Sequence, residues 1–195
     1  RNNMLWAQSG YDISVDSTSQ QGFTSDYNLL HTSGAGQVAL WQGISRPTLS
    51  AWQNTTFQDA HSLAQDPLFV SPLGADGKLG YFNATDDGRD DDFHEQSLNG
   101  SFHGGSLAPV VGPDGLPMFP TAVLLADAGQ SPAIDRGAAA DGFANEPVPN
   151  GSFINLGAYG NTAQASLSPA AYVLVTKADG GETWSQGHTF EITWR

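Results

Sequence analysis

Apolar residues along this chain come in short runs, separated by clusters of Gly, Asn, Asp and Ser. The runs are Met4-Leu5-Trp6, Tyr11-Asp12-Ile13-Ser14-Val15, Tyr27-Asn28-Leu29-Leu30, Val38-Ala39-Leu40-Trp41, Pro67-Leu68-Phe69-Val70 and Val123-Leu124-Leu125. Phe153-Ile154-Asn155-Leu156 and Tyr172-Val173-Leu174-Val175 follow. Such runs between turn residues predict strands, and the chain reads as all-β. Few links have the two-residue form of a tight hairpin, so a hairpin-rich sandwich fits less well than a solenoid. Asn3 and Asn28 each precede an apolar pair, one coil-length apart in the sequence. Stacked in a turn, their side chains could bond each other and the backbone. Two ordinary turn asparagines would give the same pattern.

One segment departs from the β pattern. Thr48 or Ser45 can cap a helix, and Leu49 and Trp52 stand at i, i+3 spacing, so a short helix over 48–54 is predicted. From about 71 to 120 the chain is turn-rich and acidic, and 131–166 is a second irregular stretch. Around 166–171 the composition shifts to Ser, Pro and Ala. Beyond it, the turn Asp179-Gly180-Gly181 suggests a hairpin. Both ends break off in mid-pattern, so the chain is expected to be a piece of a longer polypeptide.

Charge narrows the partners. The chain has 195 residues and a net charge of −13, from 20 acids against 7 Lys and Arg. That balance disfavours nucleic acid, whose phosphates need a basic surface, and disfavours an anionic membrane surface. No apolar run is long enough for a membrane span. There are no cysteines, so neither disulfides nor thiolate metal sites are available.

Several segments taken in order resemble bacterial right-handed parallel β-helix repeat proteins of the pectate-lyase-like superfamily. They are Ser25-Asp26-Tyr27-Asn28, Asp66-Pro67-Leu68-Phe69-Val70, Asp92-Phe93-His94, Ser131-Pro132-Ala133-Ile134-Asp135-Arg136-Gly137 and Ile154-Asn155-Leu156-Gly157-Ala158-Tyr159-Gly160-Asn161-Thr162. The resemblance implies an all-β fold: the C-terminal coils of a right-handed parallel β-helix, an irregular closing segment and one short helix. The coils and closing segment would span 1–166. Residues 167–195 would be a linker and the first strands of an incomplete Ig-like module, since Gly180-Gly181-Glu182-Thr183-Trp184 and Ile192-Thr193-Trp194 resemble the opening of one.

Candidate chemistry is thin. Asp86, Asp87, Asp90, Asp91 and Asp92 form an oxygen-rich run that suits Ca²⁺, although the spacing is not that of an EF-hand and a solvated acidic loop is the plain alternative. His94 and His103 could add a general base, but neither belongs to a recognised ligand spacing. No catalytic residue is assigned. Asp135 reads as a turn-pinning residue, and Tyr159 as a plug whose ring is buried. Trp6, Trp41 and Trp52 are candidate sugar-stacking platforms, with packing roles as the alternative. Lyases of this superfamily use Ca²⁺ and a basic residue, and only Arg89 here sits among carboxylates. The resulting expectation is a non-catalytic structural or adhesive module of a large secreted or cell-surface protein. Its partners would be a polysaccharide or cell-surface glycan and the rest of the same polypeptide. The alternative is a fragment of a Ca²⁺-dependent polysaccharide lyase or other glycan-degrading enzyme.

Overall fold

A computed structural model describes residues 1–85, 87–104, 109–118, 123–177 and 184–195. Two long strands dominate it. β1 (Met4–Val15) and β2 (Leu29–Trp41) run parallel, with Met4 opposite Leu29 and Val15 opposite Trp41. The register slips between Ala7 and Ser9. Gly36 is required just beyond the slip, because a Cβ there would collide with the Ala7 carbonyl oxygen. β2 then turns through Gln42 and Gly43, both at positive φ, into β3 (Ile44–Arg46). This is the backbone that a two-residue hairpin requires.

The helix forms as expected. α1 (Leu49–Thr56) starts at Thr48, whose hydroxyl accepts from the Ala51 amide at 3.2 Å. It ends at Phe57 in the left-handed conformation. Trp52 is its one buried residue and points into the main core.

The expected coils of a parallel β-helix are not what the chain forms. Among the described residues β1–β2 is the one parallel strand pair, extended by an isolated parallel bridge between Leu29 and Leu63. The rest are small antiparallel pairs: β4 (Phe69–Ser71) with β5 (Asp92–Glu95), β6 (Ser101–Phe102) with β9 (Leu124–Leu125), β7 (Val110–Val111) with β8 (Pro117–Met118), and β10 (Val175–Lys177) with β11 (Thr193–Trp194). The reason lies in strand length. Among the described residues after Leu63 no strand exceeds four residues, so none is long enough to stack on β2 as a third coil.

Successive side chains of a strand face opposite ways, and the start of β2 uses both faces. Leu30 joins Ile13, Val15, Val38, Ala39 and Trp52 in one core. Its neighbour Leu29 joins Leu63, Ala133 and Leu156 in a second. The irregular segment 131–168 is thereby held against the first strands. Leu156 N donates to Ala133 O (3.0 Å), and Gly157 N donates to Asn2 O (2.9 Å). The two asparagines do meet: Asn3 Nδ2 donates to Asn28 Oδ1 at 3.0 Å, and the Asn3 amide donates to the same oxygen.

Candidate functional site

The acidic run pins loops. Asp90 accepts from the amides of Ala75 (2.6 Å) and Asp76 (3.2 Å), and these bonds hold its carboxyl below the usual range. Asp91 accepts from Gly80 N at 2.7 Å, and Asp92 from Gly104 N at 2.9 Å. Asp87 pairs with Arg89, which lowers its pKa. Asp86 lies outside the described residues. Among the described residues no three His, Asp or Glu side chains gather as a cation would need. Asp90 and Asp91 each turn one oxygen to backbone donors, and the described carboxylates do not converge to supply the six to eight oxygens that Ca²⁺ takes. Adding Ca²⁺ or EDTA is therefore expected to leave the thermal midpoint unchanged, since a ligand of the native state alone would raise it. A midpoint that climbs with Ca²⁺ in a scanning fluorimetry titration would restore the metal site.

Three histidines each meet an aspartate. His94 is fully buried, with Nδ1 2.7 Å from Asp92 Oδ1 and Nε2 3.0 Å from Gln164 Oε1. Its ring stacks on Tyr159 at 3.5 Å and meets the edge of Phe102. Both nitrogens are taken and no substrate can reach either, so a general-base role for His94 does not fit. His103 pairs with Asp127 at 2.8 Å, but the other oxygen of Asp127 accepts from Ser97 N (2.7 Å) and the Ser101 hydroxyl (2.6 Å). Here Ser101 bonds the acid rather than the imidazole, so the three do not form a nucleophilic relay. His61 pairs with Asp26 at 2.8 Å and stacks on Tyr27.

Beneath His94 lies a polar interior that the sequence did not disclose. Glu95 is fully buried, and desolvation pushes its pKa up to about 8. Oε1 has no partner, and the Ser166 hydroxyl donates to the Glu95 carbonyl (2.5 Å) while standing 3.4 Å from Oε2. Glu146 is raised too, mainly by burial, although its Oε1 accepts from Asn155 N (2.9 Å) and Asn161 N (2.8 Å). Asp135 is buried, and its carboxylate meets side-chain hydroxyls in place of the backbone amides expected of a turn pin. Its carboxylate accepts the hydroxyls of Ser168 (2.9 Å) and Tyr172 (2.6 Å), and its amide donates to Asn155 Oδ1 (2.9 Å). These acids stand next to apolar or turn residues in the sequence, and only tertiary packing encloses them.

The three tryptophans separate. Trp52 is 0% exposed and donates from Nε1 to Asp59 Oδ2 at 2.8 Å, so it offers no face to a ligand. Trp41 is half-buried against Phe23 and Trp52. Trp6 differs. It is half-buried, its indole N–H donates to Ser33 Oγ (2.9 Å), and it forms a wall common to two hollows. One, of about 280 Å³, is also lined by His31, Phe69, Asp66 and Gln96. The other, of about 400 Å³, is lined by Gln8, Ser9, Tyr11 and Asp12. Asp12 is half-buried, and desolvation raises its pKa to about 7. No protein-family model, curated protein or solved structure matches this chain.

Proposed function

We propose that this chain is a non-catalytic module of a secreted or cell-surface polypeptide, and that it holds a neutral glycan across Trp6. The observation behind this reading is the place of Trp6 between an aromatic hollow and a polar one. A sugar ring offers C–H faces that lie on an indole, and hydroxyls that need planar donors and acceptors at the rim. Phe69 and His31 extend the aromatic surface, with ring centroids 6.2 Å and 5.5 Å from that of Trp6. Gln8, Asp66 and Gln96 stand on the walls as polar groups. A neutral glycan tolerates a net charge of −13, whereas a polyanion would be repelled. His94, Asp90, Asp91 and Asp127 are engaged in holding loops, and Asp12 stands in the polar hollow with no second acid among that hollow's lining residues, where glycoside hydrolysis ordinarily needs a pair.

Titration of neutral oligosaccharides by calorimetry or NMR tests this. Binding should be saturable, without turnover, and lost in Trp6→Ala, while that variant still melts cooperatively. Absence of binding to any neutral oligosaccharide at millimolar concentration would overturn the reading. So would cleavage of a glycan that disappears in Arg89→Ala or His94→Ala, which would favour an enzyme.

A further inference from the structure

The aromatic hollow beside Trp6, of about 280 Å³, has few hydrogen-bonding groups left to offer. The Trp6 indole N–H is spent on Ser33 Oγ (2.9 Å), which leaves the ring its π system. Gln96 Nε2 donates to Phe69 O (3.1 Å), Gln96 N to Leu68 O (2.9 Å) and Leu68 N to Asp66 Oδ1 (2.9 Å). The Pro67 carbonyl accepts the Ser131 hydroxyl at 2.6 Å. Pro67 and Pro72 bring no N–H to the lining.

Rings and one charge remain. Phe69 and His31 both stand against Trp6, and Phe93 braces Phe69 edge-on at 5.3 Å. Asp66 is exposed and lines the hollow, with Oδ1 on the Leu68 amide and Oδ2 uncommitted. None of the described lining residues is Lys or Arg, and the chain carries a net charge of −13. Such a surface draws cations and repels anions. The face of an aromatic ring attracts a cation within about 6 Å of its centroid. A primary ammonium would need three acceptors in place of its water, and the carbonyls of Pro67, Leu68 and Phe69 are already taken. A quaternary ammonium needs none, because its methyl groups bring the charge directly against the rings.

We infer that this hollow binds a trimethylammonium group, packed on Trp6 and Phe69 with Asp66 as its counter-charge. The volume lies just under the roughly 300 Å³ at which small-molecule pockets begin, so it encloses one such group and not a larger ligand. The inference goes beyond the glycan reading and does not rest on it. A sugar laid on Trp6 finds its hydroxyl partners in the polar hollow, whereas the ammonium uses the aromatic hollow alone.

Choline, ethanolamine, phosphocholine, trimethyllysine and neopentylcarbinol are titrated into the chain at pH 8, where an imidazole is ordinarily uncharged. Neopentylcarbinol is choline with carbon in place of the charged nitrogen. Binding is read by NMR shifts of the Trp6 indole N–H and the Phe69 ring. Choline or trimethyllysine should saturate, and the tighter of the two identifies the carrier of the group. Neopentylcarbinol and ethanolamine should each be weaker by about tenfold, and phosphocholine should suffer from its phosphate beside Asp66. Asp66→Asn and Phe69→Leu should each weaken choline about threefold and leave neopentylcarbinol unchanged. The contrast between choline and its isostere needs no variant, so misfolding cannot disguise the result. Equal affinity for those two, tighter binding of ethanolamine or phosphocholine than of choline, or unchanged choline binding in both variants overturns the inference. Failure of every trimethylammonium ligand to shift the rings at millimolar concentration does so as well. If neutral oligosaccharides bind while choline does not, this inference falls and the glycan reading stands; the opposite pattern overturns the glycan reading alone.

Discussion

Replacing Glu95 by Gln should make the folded chain more stable at pH 8 than the wild type, with a much smaller difference at pH 4. Glu95 is 0% exposed and its carboxyl titrates near 8 in the fold, against 4.5 when unperturbed. Burial is the main cause, and the charges of Glu146 and Asp92 act in the same direction. A backbone hydrogen bond and the Ser166 hydroxyl oppose this only in part, and the nearby Tyr159 hydroxyl is itself raised by burial and by the charges of Asp92 and Glu95. The folded pKa lies above the unfolded one. Between the two, the native state therefore holds a proton that the unfolded chain has lost. The stabilisation is complete below about pH 4.5 and disappears as pH rises through 8.

Ionising Glu95 in place then costs on the order of 3 to 5 kcal/mol, a large share of the 5–15 kcal/mol that a domain possesses. Glu146, raised by burial, and Asp12, raised to about 7, act with the same sign. The exposed Asp16 and Asp90 and the half-buried Asp87 and Asp141 are lowered and act oppositely, but only below the ordinary carboxylate range. The wild type should thus be most stable in mild acid. Urea unfolding from pH 4 to 9 measures this. In Glu95→Gln the slope of stability against pH between 5 and 8 should be less negative by roughly 1.4 kcal/mol per unit, the value for one proton. Identical slopes in the two proteins would show that Glu95 does not hold its proton in the fold.

That carboxylate was not legible beforehand, and the reason is local. In Asp92-Phe93-His94-Glu95 the alternation of a strand places Asp92 and His94 on one face, Phe93 and Glu95 on the other. Phe93 would be expected to face a core and the acids to face water. Instead Phe102 and Tyr159 cover one side, Ser166 closes on Glu95 from a position 71 residues later, and Phe93 is left half-buried. Short-range features fared better. The cap at Thr48, the helix after it and the meeting of Asn3 with Asn28 all follow from residues close in sequence or in register. The solenoid expected from the short strands and from the ordered motifs failed. Hydrogen bonding needs strands to stack on, and the later apolar runs end in loops or pair antiparallel over two to four residues. A cleft lined by Tyr27, His61, Phe153 and Leu174 left no trace at all, because its residues share no spacing.

Trp52 was legible as a residue of interest, and the second large effect concerns it. Trp52→Ala should destabilise the fold by about 4 kcal/mol or more, at the upper end for an aromatic truncation. The side chain is fully buried, edge-on to Phe23 and Trp41, and closes the core between α1 and the two long strands. Its indole N–H also satisfies Asp59, a buried acid whose other oxygen accepts from Asn28 Nδ2 (2.8 Å) and Ser62 Oγ (2.6 Å). Asn28 in turn bonds Asn3. Removing the indole therefore opens a cavity and also strips a donor from a carboxylate at the root of the β1–β2 register. Trp52→Phe separates the two contributions. It keeps most of the ring and loses the N–H, and should cost about 1–3 kcal/mol for the orphaned oxygen. Trp52→Phe combined with Asp59→Asn should recover part of that loss, since an unpaired amide costs less to bury than an unpaired carboxylate. Chemical denaturation of the three variants measures the terms. If Trp52→Phe costs nothing, the contact with Asp59 is incidental and the tryptophan acts through packing alone.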